Sequence, residues 1–458
     1  MDFHRNTHPS AQPAAGRLAL GARVDEFVCE EMKRQRVPGL AVGIVKGGAV
    51  LKAQGYGLAN LEHQVPVGPA TLFQSGSLGK QLTAAAVMLQ VDDGKVSLSD
   101  PVTRFFPDAP ETWRAITVRH LLTHTSGIAD HGGGTLNVRQ DYSEEELARL
   151  AFGLPLQFPP GARWLYSNNG YILLGIIVHQ VSGSFYGDVL AERVFRPLGM
   201  ATARVISQAD ITPNRAAGYH LAGESVKNQG WVSPSLNATA DGSLHLSVRD
   251  VIAWDAGVRA RALLQPESWD LTLRPARLTS GKPYPYGFGW FLDERNGQPL
   301  QQHGGSWQGF KTHFSRFIGE DLSVIILANL SQTEPARFAD GIAAIMNPKL
   351  ALTLEPIADR EPEVTARLSR LLEDARAGRL DPAEFGHLRA GFFPGGARAL
   401  QEQIRALGPS QAPVLVERVE KGDDRIYTYE VAFAARAMRY MVGLAPDDQV
   451  SLFQLRGK

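Results

Sequence analysis

A chain of 458 residues is long enough for two or three domains and a large core. Its 47 basic residues balance 47 acidic ones, which argues against nucleic acid or an anionic membrane as partner. With one cysteine, Cys29, no internal disulfide forms; neither an apolar leader nor an apolar run of ~18 residues occurs, so a cytoplasmic location away from membranes is expected.

Residues 1–17 read as a flexible segment. Over 18–36, Leu20, Val24, Phe27, Val28 and Met32 make a helical stripe that ends before Pro38. The β-rich runs 40–45 and 49–55 meet at Lys46-Gly47-Gly48, a hairpin signal.

The stretch 73–87, FQSGSLGKQLTAAAV, carries a glycine-bearing turn into an apolar helical run over 77–92. Ser77 and Lys80 stand three apart and project from one side of its first turn. A serine hydroxyl becomes a nucleophile when a base takes its proton, and a desolvated lysine of lowered pKa is such a base. The helix N-terminus favours negative charge developing nearby. Ser-x-x-Lys occurs once in the chain. Taken alone, the segment also reads as a capping serine beside a solvated lysine.

Helical signals at 118–122, 143–152, 170–181, 185–195 and 248–259 dominate the middle of the chain. His120 and His124 lie four apart and invite a zinc reading, but the zincin pattern needs Glu where Leu121 stands. His124 reads instead as a structural hydrogen-bonding residue. Gly132-Gly133-Gly134 reads as a flexible loop bordering a cleft.

Tyr166-Ser167-Asn168 lies between two turn signals, Pro159-Pro160-Gly161 and Asn168-Asn169-Gly170. A tyrosine oxygen near a lysine ammonium can pass protons between nucleophile and leaving group, and Asn168 offers a donor and an acceptor to a substrate amide. A buried tyrosine followed by a capping asparagine is the alternative. Further on, His303 precedes two glycines that let a backbone or ligand approach closely. A backbone N–H in this run and the N–H of Ser77 are candidate halves of an oxyanion hole. His303 itself is a candidate to orient a substrate or donate a proton.

Strands are expected at 286–293, 312–318 and 322–330, then a helix at 334–346. Strands from both ends thus flank a mainly helical insertion, an α+β arrangement built on one antiparallel sheet. The domain reading is 18–348, a linker at 349–363 and a small C-terminal α+β domain at 364–458. That last part carries helices at 364–377 and 397–407 and a meander of strands at 414–420, 425–434, 437–444 and 450–455. It holds one histidine, His387, and no catalytic constellation, so a structural or lid-like role is expected.

In order and spacing, Ser77-Leu78-Gly79-Lys80, Tyr166-Ser167-Asn168 and His303-Gly304-Gly305 resemble the serine hydrolases of the class C β-lactamase and penicillin-recognising type. The stretches PGLAVGIVKGG (38–48), LLTHTSGI (121–128), PPGARWLYSNNGYILLG (159–175) and ADGSLHLSVRDVIAW (240–254) extend the likeness across residues 20–347. The resemblance implies a β-lactamase/transpeptidase-like fold and an acyl-enzyme on Ser77, with Lys80 and Tyr166 sharing the base and acid roles. It also implies an oxyanion hole from the Ser77 and Ser306 amides, and substrate contacts from Asn168, Gly305, Ser306 and Trp307. No cofactor or metal is implied. His303 stands where β-lactamases and cell-wall carboxypeptidases usually carry lysine. The expected substrate is therefore a small ester, or an amide or peptide of the D-amino-acid type. The alternatives are a β-lactamase, a D-Ala-D-Ala carboxypeptidase or a thioesterase/cyclase-type acyl transferase.

Overall fold

The computed structural model describes residues 14–131, 136–206, 210–388 and 391–457. The Gly132-Gly133-Gly134 run and most of segment 1–17 lie outside the described residues. Helix α1 (Ala14–Gln35) leads into strands β1 (Gly39–Lys46), β2 (Ala49–Asn60) and β3 (Val65–Pro66). The β1–β2 turn is Gly47-Gly48, both at positive φ (58° and 76°), the geometry a two-residue hairpin of this twist demands. Three helices of the insertion matter for the site: α2 (Lys80–Asp92), α3 (Asn168–Ser182) and α4 (Val248–Arg259). The chain then returns through β4 (Phe291–Arg295), β5 (Gln298–Trp307), β6 (Phe310–Phe317) and β7 (Leu322–Ala328) to helix α5 (Pro335–Met346).

These strands form one antiparallel sheet in the order β4-β5-β6-β7-β1-β2-β3. Its central strands are buried on both faces, which is why GLAVGIV and LSVIILA read as unbroken small-and-apolar runs. Leu40, Val42, Ile44, Val324 and Ile326 face α1 and α5, packing on Val24, Val28, Phe338 and Ile342. Ala41, Ile325 and Leu327 face the other way, into a larger core with α2, α3 and α4. In that core α2 is buried from Lys80 to Gln90, so it is enclosed all round, as its sequence predicts.

Three segments differ from the sequence expectation. Residues 286–290 are a loop, and the strand begins only at Phe291. Residues 298–307 form a full strand that the sequence did not suggest, because Gly304 and Gly305 carry low strand propensity. A helix at Pro266–Thr272 was also not anticipated.

Beyond α5, helices α6 (Pro362–Ala377) and α7 (Ala397–Leu407) pack on an antiparallel meander, β8 (Val414–Lys421), β9 (Asp424–Ala432), β10 (Ala437–Leu444) and β11 (Val450–Gly457). They enclose a core of their own, with Leu368, Leu371, Ile404, Tyr429, Met438 and Tyr440 at its centre. Among the described residues no single helix is long and apolar enough to cross a membrane.

Candidate active site

Ser77 lies on a single 3-10 turn, Gly76–Gly79, that runs straight into α2. The turn is pinned by its neighbour Ser75, whose N–H donates to Leu244 O (2.7 Å) and whose carbonyl accepts from Thr312 Oγ1 (2.6 Å). Strand β5 lies directly on this turn. A Cβ on Gly305 would stand 1.9 Å from Ser75 O, and one on Gly76 would stand 2.4 Å from Ser306 N. Gly76 also has φ of 52°, so glycine is needed at both positions. The Ser306 backbone thus lies against Gly76, the residue before Ser77.

Lys80 is fully buried. Its Nζ sits 3.3 Å from Ser77 Oγ, donates to Asn168 Oδ1 at 2.8 Å, and donates to the backbone carbonyl of Asp241. The Tyr166 ring lies beside it, 4.9 Å from Nζ to the centroid, and Tyr171 follows at 5.2 Å. One nitrogen therefore touches the first motif and the second together.

Tyr166 ends a segment that runs beside LLTHTSGI. Gly161 N–H donates to Thr125 O (2.7 Å) and Leu165 N–H to His124 O (2.9 Å). The cap of α3 is Ser167, whose Oγ accepts from Gly170 N–H at 3.3 Å, so Asn168 is the first helical residue and not the cap. Its N–H and Nδ2 reach the two carboxylate oxygens of the buried Asp130, at 3.0 and 3.3 Å. The Asn168 amide is therefore held between Asp130 and Lys80.

His303 is 2% exposed, and both ring nitrogens have partners. Nε2 is 3.1 Å from Tyr286 Oη and Nδ1 is 2.6 Å from Gly304 O. Burial, with the Lys80 charge adding to it, pushes its pKa down to about 3 against the opposing Gly304 hydrogen bond. The imidazole is buried and both of its nitrogens face groups of the protein. Trp307, half-buried, donates from Nε1 to Asn237 Oδ1 (2.8 Å), which also accepts from Gln74 Nε2 (2.9 Å).

Three residues of the site were not singled out from sequence. Asp130 lies two residues beyond LLTHTSGI and Asp241 inside ADGSLHLSVRDVIAW, and Tyr286 reads in sequence as part of a strand. A lone acidic residue in a run of small and apolar ones, such as Asp130 after Ser126-Gly127-Ile128-Ala129, was the available signal. His120 meanwhile serves α-helical capping, its Nδ1 accepting from Thr117 N–H at 3.2 Å. Among the described residues no group of three His, Cys, Asp or Glu side chains is placed to hold a metal ion.

The model of the beta-lactamase family matches residues 24–345. The chain belongs to the beta-lactamase family. It is similar to penicillin-binding protein 4* of Bacillus subtilis (strain 168), 29% identical over 306 residues, covering 62% of this chain and 66% of that protein. It is also similar to a D-aminopeptidase of Gluconobacter oxydans (strain 621H), 27% identical over 437 residues, covering 92% of this chain and 77% of that one. In fold it matches the octameric penicillin-binding protein homologue from Pyrococcus abyssi, with a TM-score of 0.66 and 22% identity over 95% of this chain and 99% of that one. The beta-lactamase family match stops within α5, so the meander and its two helices lie beyond it.

Proposed function

We propose that the chain is a serine hydrolase working through an acyl-enzyme on Ser77, acting on small amides and peptides of the D-amino-acid type or on small esters. The observation that carries this is the buried Lys80 Nζ, 3.3 Å from Ser77 Oγ. Held by the carbonyl oxygens of Asn168 and Asp241, the Lys80 amine is the base that takes the Ser77 proton. Oγ then attacks the substrate carbonyl, and the oxyanion is received by the Ser77 and Ser306 amides. Lys80 and Tyr166 return the proton to the leaving group, and water releases the acyl group.

The likeness to a D-aminopeptidase along 92% of the chain supports amide and peptide substrates. The likeness to a penicillin-binding protein supports the second reading, a β-lactamase or D-Ala-D-Ala carboxypeptidase. Against it stands the neutral imidazole of His303 in place of a lysine that would hold a substrate carboxylate. In this reading residues 18–348 are the hydrolase domain, 349–363 a linker and 364–458 an accessory domain.

Peptide mapping by mass spectrometry after a slow acylating agent tests the assignment. One adduct is expected, on the peptide holding Ser77, and Ser77→Ala should lose on the order of 10⁶ in turnover. An adduct on Ser306 or Ser126 would overturn it. Rates on D-alanyl p-nitroanilide, a p-nitrophenyl ester and nitrocefin then separate the two readings, and a wide preference for nitrocefin would favour the second.

A further inference from the structure

A line of hydrogen bonds joins the second motif to the third through two residues that belong to neither. Ser167 N–H is 3.2 Å from His124 Nδ1, His124 Nε2 is 3.2 Å from Tyr286 Oη, and Tyr286 Oη is 3.1 Å from His303 Nε2. The line ends at His303 Nδ1, 2.6 Å from the carbonyl of Gly304. His124, Tyr286 and His303 are all buried, and the His124 ring lies 4.2 Å from that of Tyr166.

The chemistry of the two ends fixes the direction of every bond. At one end Ser167 offers a backbone N–H, which can only donate, so His124 Nδ1 accepts and its proton sits on Nε2. At the other end Gly304 offers a carbonyl, which can only accept, so His303 carries its proton on Nδ1 and accepts at Nε2. Tyr286 has one hydrogen and must give it to His303 while accepting from His124; the Tyr171 hydroxyl, also within reach of Tyr286, gives its own hydrogen to Leu122 O. The two arguments start from opposite ends and agree on the same pair of tautomers.

Two backbone features add to this. His124 has φ of 57°, a left-handed conformation that costs a non-glycine residue energy and persists only where the surroundings impose it. In the loop that carries Tyr286, a Cβ on Gly289 would lie 2.8 Å from Lys80 O, so the same loop also abuts the first residue of α2.

We propose that His124 and Tyr286 are positioning residues, and that the one-way line from the Ser167 N–H to the Gly304 carbonyl holds the Tyr166-Ser167-Asn168 segment and strand β5 at one fixed separation beside Ser77. The proposal rests on the acyl-enzyme reading above. Neither residue touches the reacting atoms. Each acts through the groups it fixes, and misplacing such groups by about 1 Å costs on the order of 100-fold in rate.

The test has a part that needs no variant. Long-range proton–nitrogen NMR on the full chain with labelled histidine, assigned from the backbone, should find the Nε2–H tautomer at His124 and the Nδ1–H tautomer at His303. Either one in the other form, or a charged ring near neutral pH, overturns the proposal. Tyr286→Phe and His124→Asn then cut the line at successive links. Each should slow acylation of Ser77 by about 10- to 100-fold, with KM changed less than about threefold, and the double variant should fall no further than the worse single one. Acylation of Tyr286→Phe at the wild-type rate would also overturn it. Wild-type protein with the expected tautomers but no adduct on Ser77 would instead refute the acyl-enzyme reading and leave the line standing as a structural element.

Discussion

Nη2 of Arg163 donates to both carboxylate oxygens of Asp424, at 2.7 and 2.9 Å. The pair ties the turn between β8 and β9 to the residue before Trp164, whose ring stacks on Tyr284 at 4.4 Å and lies 6.3 Å from that of Tyr166. Nearby, Gly422 N–H donates to Pro283 O (3.1 Å) and Lys421 Nζ to Asp293 Oδ1 (3.2 Å). Asp424→Ala should therefore cost roughly 1.5–3 kcal/mol, the worth of a charge-assisted hydrogen bond in a partly buried place. It should lower kcat/KM as well, because the segment leading to Tyr166 loses its outer anchor. Urea unfolding and kcat/KM on one substrate check both halves. Lost stability with unchanged activity would make the contact one of packing alone.

Lys80→Met keeps much of the side-chain volume and removes the amine. Acylation should slow by about 100- to 10,000-fold, the range for a lost general base. Lys80→Arg should fare no better, since a guanidinium does not give up its proton and cannot take one from Ser77. Single-turnover labelling of Ser77, followed by mass spectrometry, reads the step directly. A Lys80→Arg protein that acylates at the wild-type rate would refute the base assignment.

Asp130 holds the amide of Asn168, which in turn accepts from Lys80. Asp130→Ala should release that amide and reduce kcat by about 10- to 100-fold through lost orientation. Stability should fall by about 1–3 kcal/mol because the Asn168 donors are left unpaired. The ratio of kcat loss to KM change, measured beside thermal unfolding, separates the two effects.

Three buried histidines set the acid limit of stability. Burial pushes His245 and His303 down to about 3 and His313 to about 4, with Arg215 and Arg204 adding to the effect at His245. Each pKa is lower folded than unfolded, where it is about 6.5, so between these values the unfolded chain binds more protons. Stability is then full above pH ~6.5 and falls as pH drops towards 4, by up to about 1.4 kcal/mol per pH unit for each histidine. Urea midpoints at several pH values between 7 and 4 should show this slope, and His313→Gln should reduce it. A flat profile over that range would contradict the buried, neutral state of these rings.

The framework was legible because its signals are local. Gly47-Gly48 announces a hairpin, unbroken small-and-apolar runs announce central strands, and Ser77 with Lys80 needs only one helical turn to come together. The four strands of the C-terminal meander were likewise readable from propensity and turn residues, and they pair in chain order. What sequence could not give were contacts made across the fold. Strand β5 was hidden by Gly304 and Gly305, which look like a loop until Ser75 O is placed against Gly305. Nothing near His303 in sequence reveals that Tyr286 closes over its Nε2.

The pairing of β1 with β7 sets an order of events during synthesis. Residue 46 lies opposite residue 322, so the central strand has no partner on that side until most of the chain has left the ribosome. Ser77 is made early and waits for β5 to be laid on its turn. Such distant pairings are slow to form, and until then an apolar strand edge stays open to other chains. The meander joins only sequence neighbours and can close as soon as it is made. A nascent chain therefore has its greatest need of chaperones between the completion of β2 and the arrival of β7.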